Sequence, residues 1–219
     1  MLFDHIIATF MPHNSVLALS LRIFNRIAAP IFCFLIAEGF HHTSNKKKYL
    51  ARLILFALIS HLPYNLLFGY RFFQATSIIW GLAMGFIALW AVKTEQLHWL
   101  LKLVIVGLTL FLSVTANWNF VSVFWIIGFG LFQGNIHKQV LALVVVGVIF
   151  HFIPMYYRFG PSHPGIPHFY QLGILLAVPF LYMYNGRLGL KNKLITWFFY
   201  IFYPGHMIVL YLLKTYVFN

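Results

Sequence analysis

Hydrophobic residues run along this chain in long unbroken blocks, without the strict alternation of a half-buried strand. Apolar blocks stand at 1–11, 26–41, 48–68, 76–93, 98–114, 118–133, 138–153, 169–184 and 194–217. Between them lie polar or breaker-rich stretches: Met11-Pro12-His13-Asn14, His41 to Asn45, Phe68 to Gln74, Thr115 to Asn119, and Pro154 to His168. The last of these holds Pro154, Gly160, Pro161, Pro164, Gly165 and Pro167, which predicts a loop. In lipid every backbone polar group must be satisfied within its own segment, so apolar blocks of this density predict helices. A helix needs roughly 20 residues to cross the hydrocarbon core. The predicted fold class is therefore all-α, a polytopic transmembrane helical bundle of about nine spans, with eight or ten as alternatives. No internal repeat or long linker divides it, which predicts one domain over 1–219. Gly39 is expected near the end of the second span. Gly81 and Gly85 form a G-x-x-x-G pair in the fourth, read as close packing within the bundle.

Composition narrows the class. The chain is 62% hydrophobic, 20% aromatic and 8% charged, with a mean hydropathy of +0.85. Soluble domains are typically about 45–50% apolar and about 25% charged. A water-soluble globule and a disordered chain are both excluded. The single cysteine, Cys33, has no partner for a disulfide scaffold.

The charge balance then sets an orientation. Fifteen Lys and Arg face three acids, Asp4, Glu38 and Glu95, giving a net charge of +12. In the nine-span reading, Lys46, Lys47, Lys48, Arg52, Lys93, Lys102, Lys138, Arg187, Lys191 and Lys193 fall on one side. Arg22, Arg26, Arg71, Arg158 and Lys214 fall on the other. The basic excess belongs in the cytoplasm, which predicts a cytoplasmic N-terminus and an external C-terminus in a bacterial inner membrane. Membrane lipid is the expected partner, and nucleic acid is not. The first block reaches only about 16 Å at 1.5 Å per residue, so the native start is expected upstream of Met1.

Ionisable groups inside apolar helices are costly and mark candidate sites. Asp4 adjoins His5 in the first block; Glu38 precedes His41 and His42 by three and four residues, on one helix face. Adjacent helical residues point about 100° apart, so Asp4 and His5 are expected to meet partners on other spans. For Asp4 an ion pair with Arg22 or Arg26 is the plain structural alternative. His61, with Pro63 and Asn65 one turn on, reads equally as packing or as a polar site. His206 follows Tyr203, Pro204 and Gly205 in the last block, where proline kinks the helix and glycine permits close approach. It lies about 18 Å into that block. His163 and His168 read as interfacial. Thr43, Ser44 or Asn45 is expected to cap the third helix, followed by Lys46, Lys47, Lys48 and Arg52. That basic run is either an anchor to anionic lipid or a grip on the phosphates of a cofactor such as coenzyme A. No H-E-x-x-H, G-x-S-x-G or G-x-x-x-x-G-K-[ST] pattern occurs, so no metal site is expected.

Three blocks carry a family likeness: Met1 to Ile6, Arg26 to Phe40, and Phe202-Tyr203-Pro204-Gly205-His206-Met207, with the linking run from His42 to Leu53. In order and spacing the chain resembles the TraX family of bacterial membrane proteins, named after the conjugative F-pilin acetylase. The resemblance implies a multi-pass acetyltransferase using acetyl-coenzyme A and no metal. In the family an apolar stretch precedes the Asp-His pair, and it is absent here. Applied to this chain, the resemblance implies His5 or His206 as base or acetyl carrier, with Asp4 or Glu38 stabilising the imidazolium. Arg26, His61, Asn65 and Tyr203 would then serve the oxyanion or substrate. His41, Lys46, Lys47, Lys48 and Arg52 would bind the cofactor. The acceptor, an amine or hydroxyl on a pilin-like protein, glycan or lipid, stays open. A proton- or cation-coupled transporter and a purely structural membrane partner are the rival classes.

Overall fold

A computed structural model describes residues 1–12, 15–153, 170–187 and 192–217. It is all-helical among them, apart from one isolated bridge between Thr76 and Ala116. The elements are α1 (Leu2–Phe10), α2 (Val16–Asn25), α3 (Ala28–His42), α4 (Lys46–Phe68), α5 (Ile78–Lys93), α6 (Trp99–Leu112), α7 (Asn119–Leu131) and α8 (Ile136–Gly147). A π-helical turn (Val148–Phe152) extends α8. A 3₁₀ segment (Tyr170–Leu176) leads into α9 (Ala177–Met183), and α10 (Lys193–Tyr216) completes the order. Every predicted apolar block coincides with helix. The loop expected from Pro154 to His168, with His163 and His168, lies outside the described residues, as do His13 and Asn14.

One helix was missed. The stretch Val16–Asn25 carries Ser20, Arg22 and Asn25, which dilute its apolar signal, yet it is helical and capped by Ser15, whose side chain accepts from the Ala18 amide. With α3 it makes one apolar run, Val16–His42, of 27 residues, about 40 Å long. Among the described residues that run and Lys46–Phe68 are the two long and apolar enough to cross a membrane, which leaves a nine-span count unconfirmed; the helices Ile78–Lys93, Trp99–Leu112, Asn119–Leu131, Ile136–Phe150 and Tyr170–Met183 are shorter. Gly39 does not end α3, which continues to His42. Its missing side chain instead makes room for Tyr49, whose hydroxyl would sit 2.8 Å from a Cβ there.

The core forms around α5, buried along most of its length. Its partner is α7, and glycines set their approach. A Cβ at Gly85 would collide with Ile126, one at Gly130 with Leu89, and one at Gly81 would lie 2.7 Å from the Ser122 hydroxyl. Between apolar helices in lipid, association depends on close van der Waals packing, which is what small residues permit. Buried polar groups then lock the seam to α8: Trp125 Nε1 donates to the Leu143 carbonyl at 3.2 Å, and Gln139 Nε2 to Phe129 at 3.0 Å.

On the other side of the core, α4 and α10 run parallel. Tyr200 stacks on Phe56 with ring centroids 4.8 Å apart, and Lys214 reaches the Leu67 carbonyl at 3.3 Å. Proline interrupts neither helix: Pro63 lies inside α4 and Pro204 inside α10. This frame fixes two polar ends, one near Lys46 and one near Phe68.

Candidate functional site

At the Phe68 end, α1 lies against α10 and brings His5 to His206. Their nitrogens, His5 Nδ1 and His206 Nε2, are 2.8 Å apart, and the rings stack at 11°. Both side chains are buried, at 4% and 7% exposure. Phe68 and Tyr203 close around His5, each edge-on to its ring.

The second nitrogen of His206 sets the direction of this pair. His206 Nδ1 lies 2.7 Å from the Phe202 carbonyl one turn back. A carbonyl oxygen only accepts, so Nδ1 carries the proton and, in the neutral ring, Nε2 is the acceptor. His5 Nδ1–H must then donate to it, which leaves His5 Nε2 with its lone pair. No hydrogen bond among the described residues uses that lone pair. The arrangement supplies a buried basic nitrogen backed by a second imidazole that takes up positive charge.

Asp4 and His5 diverge as adjacent helical positions must. Asp4 Oδ1 meets Arg22 Nε at 3.8 Å, so its partner is the arginine on α2. Arg26 lies one turn on, buried at 8% exposure. Its guanidinium packs beside the Trp118 ring at 5.1 Å and the Tyr170 ring at 4.6 Å, and its Nε has no hydrogen-bond partner among the described residues. Met1, Asp4, His5, Arg26, Asn117 and Trp118 are among the residues enclosing a cavity of about 20 Å³, room for a single water. Arg26, Asn117 and Trp118 also line an open cleft of about 520 Å³, whose other walls include Tyr64, Tyr70 and Gln171.

The cleft wall from Ser113 to Asn119 is held by the parallel bridge to Thr76. There Thr76 N donates to Thr115 O at 2.8 Å and Asn117 N to Thr76 O at 3.0 Å. Trp118 and Asn119 both take positive φ, 74° and 44°. For a residue as bulky as tryptophan this is a strained backbone, of the kind that clusters at binding sites. In the sequence the Asn117-Trp118-Asn119 stretch was legible only as an interruption. Two amides flanking a tryptophan between apolar blocks is the signal that could have marked it.

The other predicted site residues fall elsewhere. Glu38 is about 15 Å along α3 from Ala28, which encloses the His5 cavity. It therefore does not reach the histidine pair. Instead Glu38 Oε2 lies 3.5 Å from His42 Nε2 and adjoins the Tyr184 hydroxyl. His41 Nε2–H donates to the Gly130 carbonyl at 3.0 Å, tying α3 to α7. Asn65 Nδ2 donates to His61 Nε2 at 3.1 Å and to the Phe72 carbonyl at 3.2 Å. That cluster pins the loop after α4. Among the described residues no three His, Cys, Asp or Glu side chains gather as a metal site would need.

The basic run surrounds the opposite end. Asn45 is the cap, its side chain accepting from the Lys48 amide at 2.8 Å. Lys46 Nζ sits 4.0 Å over the Phe40 ring, while Lys47 and Lys48 are exposed. Arg52 packs beside the Tyr49 and Tyr200 rings at 5.7 and 5.8 Å. From Tyr200 to His206 is about 9 Å along α10.

The motif blocks that suggested a family supply most of these two ends, and residues 1–214 match the family model described as TraX protein. The chain belongs to the TraX family. This TraX chain is also similar to the "Probable fimbrial assembly protein FimC, serogroup H1" of Dichelobacter nodosus. The two are 27% identical over 222 residues, covering 94% of this chain and 90% of the relative. No solved structure matches it.

Proposed function

We propose that this TraX protein is a membrane-embedded acetyltransferase that moves an acetyl group from acetyl-coenzyme A to an amine or hydroxyl of a pilin-like protein. The observation that carries the reading is the His5–His206 pair, because its hydrogen-bond direction leaves a basic nitrogen at a cavity. Family membership and the fimbrial assembly relative support the acceptor class. The helices cross a bacterial inner membrane several times, with the Lys46 end cytoplasmic and the C-terminus outside.

Acetyl-coenzyme A docks at the cytoplasmic end, its phosphates on Lys46, Lys47, Lys48 and Arg52, beside His41. The pantetheine arm runs along α10 past Tyr200 toward the histidine pair. The acceptor enters by the cleft at the Phe68 end. As its nitrogen or oxygen attacks the thioester carbonyl, His5 Nε2 takes its proton, and the Nδ1 proton shifts toward His206. Arg26 holds the acceptor where the cleft meets the cavity, with Tyr203 closing the wall behind the rings. Asp4 supplies negative charge across the same cavity. Collapse of the tetrahedral adduct expels the coenzyme A thiolate, which His5 reprotonates, leaving acetylated acceptor and free thiol.

Thiol release from acetyl-coenzyme A by the detergent-purified chain tests this. His5→Ala and His206→Ala should each abolish turnover while circular dichroism and gel-filtration profile stay unchanged. Full activity in both variants would overturn the assignment. Selective thermal stabilisation by coenzyme A over inorganic phosphate separates the enzyme from a proton-coupled transporter built on the same histidine pair.

A further inference from the structure

The geometry points to the open cleft beside Trp118 as a binding site for a peptide acceptor that carries a carboxylate within a residue or two of the acetylated amine, received by Arg26. The inference rests on the acetyltransferase reading and names the acceptor chemistry that reading leaves open.

Three observations carry it. The cleft holds about 520 Å³ and shares Arg26, Asn117 and Trp118 with the small cavity at His5. A chain lying in it therefore ends beside the cavity that His5 lines. Among the described lining residues, Arg26 is the one charged side chain, and no carboxylate faces the cleft. The nearby acid, Asp4, is already taken by Arg22. Arg26 is more than nine-tenths buried, and its Nε has no hydrogen-bond partner among the described residues. Trp118 and Tyr170 pack beside the guanidinium carbon at 5.1 and 4.6 Å, and the guanidinium fork matches a carboxylate bidentately.

The remaining lining favours a polypeptide. Gln74, Asn117 and Gln171 each both donate and accept, as the alternating N–H and C=O groups of an extended chain require. An extended chain advances about 3.3–3.6 Å per residue. Because Arg26 borders both the cleft and the His5 cavity, a carboxylate at the second or third residue reaches it when the terminal amine is at His5.

The test uses the full chain in detergent and two short peptides that differ only in Asp against Asn at the second residue. Binding is measured calorimetrically without acetyl-coenzyme A, and acetyl transfer is measured separately. The Asp peptide should bind at least tenfold more tightly, and Arg26→Gln should erase that difference. Arg26→Lys should keep part of it, because the charge remains and the fork is lost.

Equal binding of the two peptides overturns the inference. So does a loss of turnover in Arg26→Gln that is the same for both peptides with their binding unchanged, since that marks a purely oxyanion role. Arg26-dependent binding of a uronate glycoside with none of either peptide also overturns it, by assigning the cleft to a glycan. If the Asp preference appears but neither peptide is acetylated, the cleft assignment stands and the acetyltransferase reading fails. If both are acetylated with no preference, the outcome is reversed.

Discussion

At the Phe68 end of α4, His5 and His206 meet across 201 positions of sequence, whereas at the Lys46 end Glu38 and His42 pair across four. The first pair is buried and exists only because α1, α4 and α10 pack together. The second is made by a single helix and needs no tertiary fold. Both combine an ionisable group with an imidazole inside apolar sequence, so they look alike when read along the chain. Their difference is one of enforcement. A long-range buried contact persists because the surrounding packing over-determines it, and that constraint is what catalysis requires of a base. A local pair at a helix end is a helix-stabilising contact first.

The sharpest way to break this comparison is to change the two histidines of the Phe68 end one at a time. His5→Ala should lower acetyl-coenzyme A turnover by about 10²–10⁴-fold, the range a positioned general base contributes. His206→Gln should cost less than His5→Ala, because an amide side chain still accepts the His5 Nδ1 proton although it cannot take the charge. A larger loss in His206→Gln than in His5→Ala would mean that His206, not His5, is the reacting group.

Next in size are changes that leave both pairs intact but move their supports. Gly173 in the 3₁₀ segment lies so close to Ile23 that a Cβ would strike its carbonyl, with Arg26 the next neighbour. The same segment carries Tyr170, which packs on both Arg22 and Arg26. Gly173→Ala should destabilise the chain by about 1–3 kcal/mol, the usual cost of overpacking, read as a lowered melting temperature. Gly85→Ala should cost a similar amount at the α5–α7 seam while leaving the turnover of the folded fraction near normal. Only Gly173→Ala should lower turnover beyond its loss of folded protein.

The basic run should show a binding effect. Replacing Lys46, Lys47, Lys48 and Arg52 together by glutamine should raise KM for acetyl-coenzyme A about tenfold with kcat little changed, the signature of lost uniform binding. In the unaltered chain that KM should rise with salt, since Lys47 and Lys48 are exposed and screened. A salt-insensitive KM would leave the run as a lipid anchor.

How much of this was legible beforehand follows from range. The helices were readable because apolar blocks in lipid have few alternatives. Only α2 escaped, since Arg22 and Asn25 sit within one turn of its end. The individual polar residues were readable by their cost: Asp4, His5, Glu38 and His206 all stand out against their apolar surroundings. Their partnerships were not. Nothing local in Met1-Leu2-Phe3-Asp4-His5 says that Asp4 turns to Arg22 and His5 to His206, because that depends on how α1 rests on α2 and α10. Glu38 was grouped with the histidines on chemistry alone, and the length of α3 separates it from the His5–His206 pair. The cleft was missed because its lining is gathered from α2–α3, α4, the loop before α5, the 113–119 loop, the π turn and the 3₁₀ segment, each contributing a few ordinary residues.

The smallest expected effect is at Glu38, and it tests the comparison from the weaker side. The carboxylate is 7% exposed, so burial alone would mark it as functional by the usual cost of an intramembrane acid. Its contacts argue otherwise: His42 one turn on and Tyr184 at the end of α9 both serve to close the Lys46 end of the bundle. An i,i+4 ion pair is worth about 0.3–0.5 kcal/mol when exposed, and a neutral amide keeps a hydrogen-bond acceptor for the tyrosine hydroxyl. Glu38→Gln should therefore shift turnover by no more than about threefold, a barrier change under about 0.7 kcal/mol. Its effect on melting should be smaller than that of Gly173→Ala. A hundredfold loss in Glu38→Gln would mean that charge at the Lys46 end acts on the histidines through some 15 Å of α3. The two ends would then form one coupled site.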